Sequence, residues 1–376
     1  MKVLHLIYSK QVAGAEKYLL DLLPGLKNSG INCELICVTP EADQYKFHPF
    51  CEELIQHGVN TQLLAAKTSN LLSTAKRIAV YASDAGVDYI HAHLFKADAI
   101  AVLVKMFFKK KILIISTKHG YQESYFKKNI TPPWKIQYNL YYFISRFINS
   151  RIDYQITISN AMAELYQALG FTKKKMPFIH HGIRIDKPAA EQPKVSQQLI
   201  MLGRIEEIKG HIYFFKAMPE IIKKFPKVKL LILGNGTEKE NLQRVANKLG
   251  ITKYIEFLGF QSKPANYLIQ SEIIILPSLF EPFGLVYIES FALKVPVVAF
   301  DVKACNEIIT HNETGILVPA FDSKSLAEKV IYLLENTAER ERIVNNAFHK
   351  YQTYFNTGRM LKETVEWYRS IGFNKQ

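Results

Sequence analysis

The chain has 376 residues, 48% of them hydrophobic and 22% charged. At roughly 150 residues per domain this is room for two or three domains, each with a sizeable core, and it excludes a disordered or fibrous protein. Forty-eight Lys and Arg against 34 Asp and Glu leave a formal charge of +14, so an anionic partner is expected: nucleic acid, an acidic membrane surface or a phosphorylated substrate. No apolar run approaches the ~20 residues that a membrane-spanning helix needs. The N-terminus reads as a strand and lacks a signal-peptide h-region and cleavage site, so a cytoplasmic location is expected.

Short apolar runs alternate with longer amphipathic stretches. Residues 3–8 read as a strand, 15–28 as a helix, 33–39 as a strand and 73–84 as a helix. Strands at 89–92 and 112–117 flank a helix at 96–108, and a strand at 154–158 precedes a helix at 160–169. The stretch 186–194 has two prolines and few apolar residues, and reads as a linker. Beyond it come strands at 198–202, 229–233, 255–257, 273–276 and 297–299, with helices at 211–225, 237–249, 285–293 and 323–335. Residues 360–371 read as a last helix. This alternation predicts two α/β halves, each a parallel sheet covered on both faces, with a ligand in the cleft between them near the carboxyl ends of strands. The cysteines Cys33, Cys37, Cys51 and Cys305 show no paired zinc spacing and are expected to be reduced and structural.

Four features fall at strand ends. In the run from Gly203 through Arg204 to Lys209 and Gly210, an Arg fork and a mobile Lys charge suit one phosphate group, and the glycines permit tight turns. A solvated loop with incidental charges explains the same residues. Glu281-Pro282-Phe283-Gly284-Leu285-Val286 leads into a helix that carries Glu289. Backbone N–H groups around Gly284, Leu285 and Val286 would make an anion site at that helix start, and carboxylates beside it suit hydroxyl groups of a sugar or ribose. The plain alternative is helix capping by Glu281. Gly14, between the first strand and helix, allows close backbone approach, as any tight turn would. Histidines follow three strands: His91 and His93, His119, and His180 with His181. No His/carboxylate set has a compact metal-ligand spacing, and no metal is expected. His119 is expected to hydrogen-bond substrate, whereas His91 and His93 suit a structural role equally.

Gly203-Arg204 with Lys209-Gly210, followed by Glu281 and Glu289, resembles the retaining, metal-independent glycosyltransferases of family 4. Ala13-Gly14-Ala15-Glu16 and Thr117-Lys118-His119-Gly120 are lesser matches, and the resemblance covers nearly the whole chain. It implies the GT-B fold, an α/β architecture of two Rossmann-like domains with parallel sheets facing a central cleft. The implied domains are 1–185 on the acceptor side, a linker at 186–196, and 197–356 for the nucleotide sugar, with a helix at about 357–376 crossing back. By the resemblance, Arg204 and Lys209 hold the donor diphosphate, and Gly14 and Gly203 lie against the phosphate region. Glu281 holds donor-sugar hydroxyls, Gly284, Leu285 and Val286 offer N–H groups, Glu289 holds the ribose, and His119 lies near donor sugar and acceptor. The donor is a substrate, so no cofactor is implied. Two departures bear on donor identity: Arg184 stands where the family often has an acid, and 301–307 lacks the usual glycines.

The segment from Lys105 to Arg151 holds ten basic residues and one acid, Glu123, a net +9 among many aromatics. A helix is expected at 134–148, after Pro132-Pro133. Basic residues beside exposed aromatics suit an anionic membrane interface, and equally single-stranded nucleic acid. With the enzyme motifs, the membrane is favoured and nucleic acid is not expected. Buried aromatics with a rim of solvated lysines are the plain alternative. The composite expectation is a transferase, peripheral on the inner face of the cell membrane, that moves a sugar onto a lipid-linked or lipopolysaccharide-type glycan. The rival readings are a catalytically silent homologue acting as a binding subunit, a nucleotide-sugar epimerase of the same fold and a basic nucleic-acid-binding protein.

Overall fold

A computed structural model describes residues 2–10, 12–40, 49–66, 70–108, 111–121, 136–173, 176–185 and 193–372. They form two compact units. One takes the described residues of 1–182 together with 357–372, the other those of 183–356. Most of the expected 186–194 linker lies outside the described residues.

The first unit is a six-stranded parallel sheet. Its strands are β1 (Lys2–Tyr8), β2 (Asn32–Thr39), β3 (Asn60–Ala65), β4 (Tyr89–His93), β5 (Leu113–Lys118) and β6 (Tyr154–Thr157), in the order β3-β2-β1-β4-β5-β6. Side chains alternate between its faces. Val3, Ile7, Cys33, Leu35, Cys37, Tyr89 and Ile115 point to one face, which helices Gly14–Asn28, Pro49–Gln56 and Thr357–Ser370 cover. Leu4, Leu6, Ile36, Val38, Ile90 and Ile114 point to the other, under helices Leu71–Asp84 and Phe95–Phe107. Cys33 and Cys37 share one face, and all four cysteines are buried and free.

The second unit repeats the plan. Its strands are β7 (Gln198–Leu202), β8 (Lys229–Leu233), β9 (Ile255–Gly259), β10 (Ile273–Leu276), β11 (Val297–Phe300) and β12 (Ile316–Val318), in the order β12-β11-β10-β7-β8-β9. In each sheet the chain reverses direction of travel beside the first strand, between β1 and β4 and between β7 and β10. Such switch points leave a crevice at the carboxyl ends of the strands, where ligands bind in open α/β sheets.

The segment 134–148 departs from expectation. Of it, 134 and 135 lie outside the described residues, as does Pro132-Pro133. The helix runs Leu140–Ser150 and is capped by Asn139, whose side-chain oxygen accepts from the Tyr142 N–H at 2.8 Å. No described helix is long and apolar enough to cross a membrane.

Candidate functional site

The loop 203–210 leaves β7 at the switch point of the second sheet. Gly203 N–H donates to Leu233 O at 3.0 Å, and Ile205 N–H to Asn235 O at 2.9 Å, which ties the loop to the one leaving β8. That fit depends on glycine. A Cβ on Gly234 would stand 1.9 Å from Gly203 O, and one on Gly236 2.1 Å from Ile205 O. The Ile205 side chain is fully buried in the core, so the charged residues around it are held at the rim. On the other side, Leu279 N–H donates to Ile208 O at 2.8 Å, joining the loop to the segment that leaves β10.

These ties bring two expected site residues into contact. Lys209 Nζ donates to Glu281 Oε1 at 2.6 Å, and Ser278 Oγ donates to the same oxygen at 2.8 Å. Glu281 is buried and Lys209 half-buried, while Arg204, on the same loop, is exposed. Glu281 therefore does not cap the following helix. That helix, Leu285–Ala292, has Gly284 at its N-cap with φ +107° and no side-chain cap, so the N–H groups of Leu285 and Val286 open its first turn. Beneath Gly284 lies the Tyr287 ring, where a Cβ would come within 2.4 Å. The Tyr287 hydroxyl accepts from the Cys305 thiol at 2.9 Å, and burial pushes that thiol up to about 12. Glu289 sits half-buried within the same helix.

The first unit holds the other two expected residues. Gly14 is the first residue of helix Gly14–Asn28, after β1, and the Glu16 carboxylate accepts from the Ala13 N–H at 3.0 Å. His119 follows β5, with its ring edge-on to Tyr18 of the same helix at 4.8 Å. Burial, reinforced by nearby His181, pushes His119 down to about 3, so its imidazole is neutral.

Two readings of the sequence need correction here. Lys118, counted in the basic segment, is not a surface charge: it is buried and paired with buried Asp98 at 2.6 Å. Lys105 is likewise paired, with Asp153 at 2.8 Å. Both acids lie just outside the counted stretch, so the net +9 overstates the exposed charge. Second, although no compact ligand spacing exists along the chain, folding gathers His5, His91 and His93 so that their ring nitrogens lie within 4.8 Å of one another. His5 belongs to this group through the pairing of β1 with β4, which puts it beside His91. The signal available in the sequence was the alternation of His91 and His93 on one strand face.

Residues 183–350 match the family described as glycosyl transferases group 1, and residues 12–187 the one described as glycosyltransferase family 4. The chain belongs to the family 4 glycosyltransferases. It is 34% identical over 175 residues to an uncharacterised glycosyltransferase of Methanocaldococcus jannaschii, covering 46% of this chain and 45% of that one. It is 26% identical over 355 residues to the Campylobacter jejuni N-acetylgalactosamine-N,N'-diacetylbacillosaminyl-diphospho-undecaprenol 4-alpha-N-acetylgalactosaminyltransferase, covering 91% and 92%. The chain thus spans about half the length of the first relative and nearly all of the second. Among solved structures, Anabaena HepE in complex with UDP-glucose superposes with a TM-score of 0.78 at 18% identity, covering 98% of this chain and 100% of that one. The fold is GT-B.

Proposed function

We propose that this family 4 protein is a retaining, metal-independent glycosyltransferase that moves a sugar from a nucleotide-sugar donor to a lipid-linked or cell-surface glycan acceptor. The observation that carries the reading is the contact of Lys209 with Glu281 at the switch point of the second sheet, with Arg204 on the same loop. Two cations and a helix start with open N–H groups suit a departing diphosphate, and a buried carboxylate suits the sugar hydroxyls. In the proposed step the bond from the anomeric carbon to the diphosphate oxygen breaks and its electron pair leaves with the phosphate. The acceptor oxygen bonds the same face of that carbon, and its proton passes to the departing phosphate oxygen. Arg204 and Lys209 supply the fixed positive charge, Glu281 orients the sugar, and Leu285 and Val286 offer N–H groups. Glu289 holds the ribose, and Gly14 and Gly203 line the phosphate region. His119 hydrogen-bonds the sugar or the acceptor.

The Campylobacter relative acts, by its name, on a diphospho-undecaprenol-linked glycan, which supports a lipid-linked acceptor here. A helix with an exposed apolar face supports it further. Helix Leu140–Ser150 turns Leu140, Phe143, Ile144 and Phe147 outward, with Phe143 and Phe147 54% and 56% exposed. Exposed Arg146 and Arg151 flank them. We place the protein on the anionic inner face of the cell membrane through this helix.

The test is transfer from the nucleotide sugar that most raises the melting temperature. Arg204→Ala and Lys209→Ala should each lower kcat by about 10² to 10³-fold while thermal melts stay near wild type. Near-normal rates in folded variants would sink the assignment.

A further inference from the structure

Lys118 and Asp98 form an ion pair inside the first unit that the proposed chemistry does not use. Lys118 ends β5, Asp98 lies in the first turn of helix Phe95–Phe107, and they are 3% and 2% exposed. Lys118 Nζ donates to Asp98 Oδ2 at 2.6 Å, while Asp98 Oδ1 is buried and meets no partner. Taking two charges out of water costs more than their attraction returns unless the remaining donors and acceptors are also satisfied. An apolar pair of similar volume would join sheet and helix at lower cost. Stability alone therefore does not account for Lys118 and Asp98.

The pair sits where the sheet lets go of the chain. β5 is paired with β4 as far as Thr117 and with β6 as far as Lys118, and His119 lies one residue beyond. Side chains alternate along a strand, so Lys118 turns to the face under helix Phe95–Phe107 while Thr117 and His119 turn to the other. The contacts agree. Thr117 Oγ1 meets His91 Nε2 at 2.7 Å, the His119 ring lies edge-on to Tyr18 with centroids 4.8 Å apart, and His119 Nε2 meets His93 Nδ1 at 3.0 Å. Past His119 the chain is caught again. Tyr166, on helix Asn160–Ala168, donates its hydroxyl to Gly120 O at 3.1 Å. Its ring centroid lies 5.6 Å from Lys118 Nζ, within cation–π range. His119 thus stands between two anchored neighbours, and Tyr166 touches both.

We propose that Asp98, Lys118 and Tyr166 are positioning residues that clamp the end of β5 and hold the His119 ring in one orientation toward substrate. This rests on the role of His119 proposed above. With Lys118 drawn to Asp98 on one face, the pleat leaves His119 the opposite face. With Gly120 O held by Tyr166, the backbone after it has no freedom to rotate the ring away.

The deciding variant carries Asp98→Leu and Lys118→Met together. It leaves no buried charge, so it should melt at or above the wild-type temperature. Its kcat should nevertheless fall about tenfold, with donor KM within about twofold of wild type. The ring ¹H–¹³C signal of His119, identified as the one lost in His119→Gln, should move, while those of His211 and His311 in the second unit stay in place. Tyr166→Phe keeps the ring near Lys118 and removes only the bond to Gly120, so it should also move the His119 signal and lower kcat, by about threefold. An unmoved His119 signal in either folded variant overturns the proposal, and so does wild-type kcat in the folded double variant. If His119→Ala keeps wild-type kcat, the role given to His119 fails, and the ring signals alone then decide the clamp.

Discussion

Gly210 shows how one missing carbon sets the geometry of the proposed donor site. Its φ is +66°, a left-handed conformation that costs an L-residue about 1–2 kcal/mol. A Cβ there would stand 1.9 Å from the Pro277 carbonyl oxygen, far inside contact distance. Backbone would have to move, and Pro277 directly precedes Ser278, the hydroxyl that shares Glu281 Oε1 with Lys209. Gly210→Ala should therefore loosen the pairing of Lys209 with Glu281 as well as strain the loop. We expect a loss of about 2–4 kcal/mol in unfolding free energy and donor binding weakened about tenfold. Urea melts and a calorimetric titration with the donor check both, and wild-type affinity in this variant would contradict the proposed site. Lys118 illustrates the opposite case, a residue whose type misleads. Lysine is seldom buried unless paired, and nothing near it in sequence shows that Asp98, on a helix twenty residues earlier, will meet it at 2.6 Å.

At the scale of elements, helix Leu140–Ser150 buries Tyr142 and Ile148 yet also carries an apolar outer face. Its buried face includes Ser145 and Asn149, which both donate within the helix: Ser145 Oγ to Tyr141 O and Asn149 Nδ2 to Ser145 O, both at 2.8 Å. Its apolar residues 140, 143, 144 and 147 follow the helical stripe spacing but face outward. The Arg151 guanidinium lies 5.0 Å from the Phe147 ring centroid, so charge and aromatic surface are adjacent. Replacing Phe143 and Phe147 together with Ser should leave the melting temperature within a few degrees and cut recovery on anionic liposomes at least fivefold. Undiminished flotation would remove the helix from any docking role. Elements with strong periodicity were legible without coordinates: β1, β2, β7, β8 and β10 fall within a residue of their expected limits because their apolar runs are fully buried. β3 went unread because it is a half-exposed edge strand with no clean alternation. Helix Thr337–Tyr354 went unread because only Ile343 and Ala347 of its eighteen residues are buried, too few to mark a face. In the candidate site, Arg204, Lys209 and Glu281 stand out by motif. The histidine cluster of the first unit does not, since the pairing of β1 with β4 assembles it from distant segments.

For the whole molecule, the +14 charge divides unevenly between what faces solvent and what is buried, and the buried histidines give the first unit its own pH response. Burial pushes His5 and His119 down to about 3, and His91 and His93 also fall well below the ordinary 6.5. In the second unit burial pushes His211 down to about 4. The unfolded chain takes up a proton at each of these sites below about 6.5, whereas the folded chain does not until near 3 or 4. Stability is thus fully present above pH 6.5 and falls as pH drops through that window, by about 1.4 kcal/mol per pH unit for each such histidine. By pH 5 His5 and His119 alone should remove roughly 4 kcal/mol from the first unit, against roughly 2 kcal/mol removed by His211 from the second. Few carboxylates titrate in this range, so the histidines dominate the difference. Hydrogen exchange at pH 7 and pH 5, corrected for intrinsic rates and read on peptides from each unit, should show the larger loss of protection in the first sheet. Equal stability of the first unit at the two pH values, or a gain at pH 5, would mean that its imidazoles are charged in the folded state.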